Sequence, residues 1–449
     1  MLLKKDNNNY IIKIIKNSEE KMSKRKFVAI LLVFTILLLN SCNFFGENVD
    51  QLLKPPSLTK TRQSLQRSLS SELSDKYELI YPSSGNNRTA IIAYDIDNDK
   101  SNEAICFYKT DNSASDSSFI VFKNVENSWK KVGGINGEAQ GVDRVDFADL
   151  DNDGIKEIIV GWRFMAGGET GFEIFSIKND GVYSKFSGVY NQLCVINNKN
   201  NGLDYLVTIN KNLTQRVSNA SLIGKDKDKI KIINTVSIDN RIVNFLNVQT
   251  SLINNWPAIF VDEELDNQMY LTEVLTINKK GKLTNRLAQQ NTAENISQRS
   301  QAITCMDING DSIIEVPSLE PLPEYKRNGK TEHLYLVNWY SYENGSFKHV
   351  KYNYTNIVEN FMVDFDDNLA KNLTVQIDNE NERTYNFLNK NSNELLFKIR
   401  AFSTDEYKDN NDTKWEVIDF DSSVTYCFKA SDQSSFKIGD IKKMFTIIS

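Results

Sequence analysis

Residues 148–161 read A-D-L-D-N-D-G-I-K-E-I-I-V-G. Asp149, Asp151 and Asp153 alternate, Gly154 follows, and Glu157 comes four residues after the last Asp. Alternating oxygens in a tight turn suit a hard cation such as calcium, which takes six to eight oxygen ligands at ~2.3–2.6 Å. The apolar β-formers that start immediately afterwards, I-I-V-G-W, make the turn a lead-in to a strand rather than to a helix.

The motif recurs at a regular spacing. D-I-D-N-D-K-S-N-E starts at Asp95, 54 residues earlier, and D-I-N-G-D-S-I-I-E starts at Asp307, 158 residues later, close to three periods of about 53. A weaker copy, D-F-D-D-N-L-A-K-N, starts at Asp364. Two acid-poor stretches, 197–207 and 254–261, fall near the places between and keep a polar turn followed by an apolar strand. Short β-rich runs such as S-F-I-V-F-K-N-V and H-L-Y-L-V-N-W-Y fill the intervals, separated by Asn, Asp, Gly, Ser and Lys clusters. A strand-rich unit of ~50 residues repeated in this way predicts an all-β fold, a β-propeller of six or seven blades over 76–449. Its C-terminal part, 365–449, has diverged, and the helical pattern S-F-K-I-G-D-I-K-K-M-F stands near its end. The competing reading is a pair of β-sandwich domains with coincidental acidic turns.

Positions 1, 3, 5 and 9 of the three sharp copies all carry side-chain oxygens. They are Asp95, Asp97, Asp99 and Glu103; Asp149, Asp151, Asp153 and Glu157; and Asp307, Asn309, Asp311 and Glu315. The backbone carbonyl of position 7, at Ser101, Ile155 and Ile313, is expected to complete each calcium set. Lys100 and Ser312 stand where the best copy has Gly154, so those two turns are expected to be tighter or weaker. An EF-hand is excluded: its bidentate Glu belongs at position 12, where this chain has Cys106, Val160 and Ser318. The loops resemble the FG-GAP/VCBS repeat of integrin-type β-propellers, whose acidic loop leads directly into a blade strand. The resemblance implies a calcium-bearing propeller and is specific over the three nine-residue loops. Calcium is expected to act structurally, by removing the mutual repulsion of carboxylates in one turn.

The N-terminus carries a different message. From Met22 the chain has a basic cluster, Lys24, Arg25 and Lys26, and then 13 apolar residues from Phe27 to Leu39. That run is too short for a membrane-spanning helix, which needs ~20 apolar residues, and suits a secretory signal peptide. Leu39-Asn40-Ser41-Cys42 resembles the lipobox of bacterial lipoproteins, with Asn40 a less usual choice. The resemblance implies lipidation at Cys42, a cell-membrane anchor on the extracytoplasmic face, and a leader over 1–41. Met1 and Met22 both stand as possible starts. A tether over 42–57 and a short helix over 58–75, striped by Leu65, Leu69 and Leu73, would follow. The whole layout resembles clostridial-type lipoproteins that carry such repeats.

Without residues 1–41 the chain holds 45 basic and 56 acidic groups, a net charge of −11. That balance argues against nucleic acid as a partner, since phosphate backbones require a basic footprint. Cys106, Cys194, Cys305 and Cys427 match no zinc spacing and read as buried free thiols. His333 and His349 read as surface strand residues outside any catalytic motif. M-A-G-G-E-T-G at 165–171 is flanked by strands and reads as a hairpin loop, because phosphate cradles open onto a helix. Of the five Trp, Trp162 and Trp339 are expected to pack between blades, and core packing is the expectation for Trp129, Trp256 and Trp415 as well. The functional expectation is a binding module for a protein or glycan ligand. The alternative is a calcium-dependent polysaccharide lyase or glycosidase on the same scaffold, whose residues nothing in the chain singles out.

Overall fold

The computed structural model describes residues 60–73, 76–110, 116–126, 128–164, 170–178, 181–198, 203–287, 295–343, 345–410, 412–432 and 434–448. The leader, lipobox and tether expected over 1–57 lie outside the described residues, as does most of the Gly-rich stretch 165–171. Two compact units divide after Glu72. The described part of the first is the helix Lys60–Glu72, on which Leu65 and Leu69 are buried, as their i, i+4 spacing predicts.

The second unit is all-β and, among the described residues, is built from six antiparallel sheets of four or five strands in chain order and one two-stranded hairpin, Tyr325–Arg327 with Lys330–Glu332, inserted in the fifth. The first comprises Ile91–Tyr94, Glu103–Thr110, Ser118–Val125 and Ser128–Asn136, with Tyr77–Leu79 added beside the second of these. The second sheet is Gly141–Ala148, Glu157–Arg163, Thr170–Lys178 and Gly181–Tyr190. The third (192–237) and fourth (242–285) repeat the same four-stranded meander. The fifth runs through Val316–Pro321, Tyr335–Glu343, Ser346–Asn356 and Phe361–Phe365, and the C-terminal strand Phe445–Ile447 joins its edge. The sixth gathers five strands between Leu373 and Ala430. Apart from Phe445–Ile447, each sheet consists of its own local stretch of chain. Such local pairing lacks the long returning connections of Greek-key sandwiches.

Stacking explains why the middle strands are so apolar. Glu103–Thr110 and Glu157–Arg163 are buried along nearly their whole length, because each lies in a sheet covered on both faces. Apolar clusters join neighbouring sheets. Phe119 and Ile105 of the first meet Val160, Trp162 and Phe175 of the second, and Val207 and Leu222 of the third meet Val261 and Leu275 of the fourth. Tyr354 and Phe361 of the fifth meet Phe387 and Phe397 of the sixth. Trp162 packs against Phe119 across two sheets, as expected, and Trp339 is fully buried within the fifth. Trp129 is buried, whereas Trp256 and Trp415 are half-buried. Among the described residues, no buried cluster joins the sixth sheet to the first.

The repeat finds its place in this layout. The two sharp loops at Asp95 and Asp149 connect the first and second strands of their sheets, and the loop at Asp307 sits before Val316–Pro321 with Met306 bridged to Glu315. The acid-poor stretches occupy the same connections in the third and fourth sheets. The weak copy at Asp364 is different. Asp366 caps the helix Asp367–Asn372 by accepting from the Leu369 N–H at 2.7 Å, and Asp364 pairs with Lys351. Leu369, Ala370 and Lys371 favour that helix, and no glycine turns the chain, so the stretch forms a helical link between sheets. The helical pattern near the C-terminus appears as Ile438–Met444.

Candidate functional site

The three loops share one backbone. Positions 4 and 6 are left-handed in each: Asn98 and Lys100 at φ 57° and 70°, Asn152 and Gly154 at 58° and 87°, Gly310 and Ser312 at 79° and 69°. The turns at Lys100 and Ser312 therefore match the Gly154 turn and are not remodelled, at a strain that L-residues rarely accept. Local hydrogen bonds fix the rest. The position-1 Asp accepts from the position-6 N–H in all three loops, Lys100 to Asp95 at 3.1 Å, Gly154 to Asp149 at 3.0 Å and Ser312 to Asp307 at 2.8 Å. The position-5 Asp accepts from the position-7 N–H at 2.8 Å in each, so Ser101, Ile155 and Ile313 tie back to Asp99, Asp153 and Asp311.

Position 9 closes each loop from below. Glu103 and Glu157 start the next strand, Glu315 immediately precedes it, and they are 2%, 1% and 0% exposed. One carboxylate oxygen of each accepts from the position-2 N–H, of Ile96 at 2.9 Å, Leu150 at 2.9 Å and Ile308 at 3.0 Å. The other oxygen does something unusual in two of them. Oε1 of Glu315 and Oε1 of Glu103 are buried without any hydrogen-bond partner, and so are Oδ1 of Asp95 and Oδ1 of Asp151. A buried carboxylate oxygen without a donor costs on the order of 1–3 kcal/mol or more.

The electrostatics agree with that geometry. Burial, with Asp151, Asp153 and Asp149 adding repulsion, pushes the Glu157 carboxyl up to about 8. Burial and then Asp311 and Asp307 push Glu315 up to about 7, and burial raises Glu103. Carboxylate oxygens of Asp95, Asp97 and Asp99 lie within 4.8 Å of one another, as do those of Asp149, Asp151 and Glu157. In the third loop the Asn309 amide is turned onto Asp311, its Nδ2 donating to Oδ2 at 2.9 Å. The donor set is all oxygen and negatively charged, which fits a hard divalent cation of the calcium type. Asp95, Asp97, Asp99 and Glu103, and their counterparts in the other loops, would hold it, and the ion would supply charge neutralisation.

Sequence reasoning missed the lysines around the loops. Lys123 reaches the carboxylates of the first loop directly, pairing with Asp97, with Asp99 at 2.9 Å and with Glu103 at 4.0 Å. Lys225 Nζ donates to the Asp151 carbonyl at 2.8 Å, and Lys351 Nζ donates to the Ile308 carbonyl at 3.0 Å, both on a loop's backbone rather than on a loop carboxylate. The first two loops are neighbours, joined by Asn98 Nδ2 donating to the Gly154 carbonyl at 2.9 Å and Lys156 N–H donating to the Ile96 carbonyl at 2.9 Å. Between them lies a cavity of about 460 Å³ bordered by Lys123, Lys178 and Lys185 as well as by Asp97, Asp151 and Asp153.

The remaining reactive groups are placed away from the loops or made inert. All four described cysteines are buried free thiols, and burial pushes Cys106 and Cys194 up to about 12. His333 is exposed beside Glu324, in a connection rather than a strand. His349 corrects the surface expectation. It is half-buried between Tyr340 and Tyr352, ring centroids 5.6 and 3.9 Å away, with Nε2 buried and without a partner.

No family model matches the chain, and no curated protein matches it. Solved structures overlay on it loosely. Rhamnogalacturonan lyase YesW does so at TM-score 0.29 and 11% identity, over 71% of this chain and 76% of that one. A GH43 β-1,3-galactosidase gives 0.28 and 9%, over 80% and 92%. An exo-β-1,3-galactanase from Clostridium thermocellum gives 0.27 and 10%, over 82% and 98%. At TM-scores this low the likeness assigns no chemistry to this chain.

Proposed function

We propose that this chain is a calcium-stabilised β-propeller of the FG-GAP/VCBS kind, anchored by lipid at Cys42 outside the cytoplasmic membrane, which binds a protein or glycan partner. The observation that carries the calcium reading is Glu315: fully buried, held by one oxygen, and left with Oε1 unpaired under two further loop acids. A cation at the loop removes that deficit, and extracellular sites of this type fill at millimolar calcium even when weak. The meander sheets support the propeller reading, and the signal-like N-terminus with its lipobox-like Cys42 supports the location. A rigid stack of sheets with ion-locked turns suits presentation of a surface.

The test is a thermal melt of the full chain in 2 mM calcium and in chelator, beside a count of bound metal. Each filled site adds about 1–2 kcal/mol at that concentration, so chelation should lower the melting temperature by roughly 2–7 °C. Unchanged melting with no bound calcium would reduce the loops to solvated turns. A glycan panel then separates the two functional readings. A binding module retains its ligand intact, whereas the lyase or glycosidase alternative releases unsaturated products or new reducing ends.

A further inference from the structure

The three loops are alike in backbone but not in what stands across from their position-9 Glu. In the first sheet Ala104 pairs with Phe122, so one step along the strands Lys123 stands opposite Glu103. In the second, Ile158 pairs with Phe175, and Ser176 stands opposite Glu157. In the fifth, Val316 pairs with Tyr340, and Ser341 stands opposite Glu315. The same site on the same kind of hairpin thus carries Lys once and Ser twice. The consequences follow the side chains. Lys123 puts its ammonium among Asp97, Asp99 and Glu103, whereas Ser176 Oγ is buried without a partner and Ser341 Oγ faces Glu343 at 3.4 Å. Among the described residues no ion pair reaches a carboxylate of the second or third loop.

We propose that Lys123 is a built-in substitute for the cation of the first loop, so that the chain binds calcium in the second and third loops only, two ions instead of three. The inference rests on the calcium reading of the loops. An ammonium tethered on the neighbouring strand offers three donors and one positive charge at the point where the loop carboxylates converge. Calcium entering there must expel it and leave a lysine beside a divalent ion. A serine in the same place presents no charge and leaves the position open.

The experiment counts calcium bound per full chain, by equilibrium dialysis against calcium alone and metal analysis, for the wild type, Lys123→Ser and Ser176→Lys. The expected counts are two, three and one. Asp307→Asn should also fall to one, which places the second ion in the third loop. In chelator Lys123→Ser should melt below the wild type, because the first loop then lacks any cation, and calcium should restore the difference. A merely structural lysine would give a loss that calcium does not repair. Lys123→Gln serves as a second variant should the serine disturb the strand, with three ions again expected. Three ions on the wild type, or two on both the wild type and the Lys123 variants, overturn the proposal while leaving the calcium reading intact. No ion on any variant overturns both.

Discussion

Asp307, Asp311 and Glu315 crowd one turn of the fifth sheet, while Glu263 and Glu273 stand diagonally across two strands of the fourth, on one buried face. Both groups concentrate carboxylates where water is scarce, and the two neighbourhoods handle them differently. The turn is open on one side, with Asp311 exposed and Asp307 half-buried, so an external cation has a way in. The fourth-sheet acids are closed over. Glu263 is fully buried with neither oxygen hydrogen-bonded, and Glu273 accepts from the Asp239 N–H at 2.8 Å and from Asn285. Burial holds Glu263 well above the ordinary carboxylate range and pushes Glu273 up to about 8. Burial favours the protonated form of these two, as it does for Glu157 and Glu315, but no open turn lies over them. A repeat that has lost its acidic turn, at Asn254 and Asn255, thus keeps acids in its core that no turn-based pattern describes.

The contrast breaks first at Glu315. Glu315→Gln keeps an oxygen for the Ile308 N–H and removes the buried charge. With calcium the variant should lose one ion and about 1–2 kcal/mol. In chelator it should melt at or above the wild type, since Asp307 and Asp311 then face a neutral amide. Such a crossing of the two melting curves is what a metal ligand produces. Equal destabilisation in both buffers would make Glu315 a turn-closing residue and nothing more. The matching change at Glu263, Glu263→Gln, should shift stability the same way in both buffers.

The pH dependence sharpens the same contrast, on the order of 1–2 kcal/mol. Glu273 and Glu263 both have folded pKa values above the unfolded one, so the folded state holds extra protons above about pH 4.3, through about 8 for Glu273. Their contribution is fully present below about pH 4.3 and is lost as pH rises towards each folded pKa, about 8 for Glu273. In saturating calcium, which keeps the loop carboxylates ionised, the wild type should melt progressively lower from pH 5.5 to 8.5. A Glu263→Gln, Glu273→Gln double variant should melt on a flatter curve, the gap widening with pH. The groups facing this pair are Asp239 with its partner Arg241, Asn285, and Asp262 on the same strand. Asp262 is itself neutralised by the buried Arg299 at 2.8 Å. A constant gap across the range would show that the pair carries no extra proton.

What was legible in the chain follows from the reach of each interaction. The acidic turns are local: side chain, glycine and following strand lie within nine residues, and all three sharp copies adopt the expected strand-leading turn. Lys123 lies 20 residues beyond Glu103 and meets it only through strand register, which composition does not display. Glu263 and Glu273 were hidden for another reason. Alternation marks a strand with one wet face, but Trp256–Leu265 is covered on both, so its acids look solvated in sequence and are not. The copy at Asp364 misled because three closely spaced acids serve a helix N-cap as readily as a metal turn.

The smallest effect concerns the backbone that the loops share. Ser312 holds φ +69° at the position where the second loop has Gly154 at +87° with open space around its Cα. Ser312→Gly relieves left-handed strain of about 1 kcal/mol, partly offset by the greater freedom of glycine in the unfolded chain. A net gain of roughly 0.5 kcal/mol should then be the same in calcium and in chelator, because the strain lies in the Ser312 backbone and not in a metal ligand. A gain confined to calcium would mean that the strained residue limits metal binding and that the third loop relaxes when empty. The shared backbone of the three loops would then be a product of the ion, not a mould prepared for it.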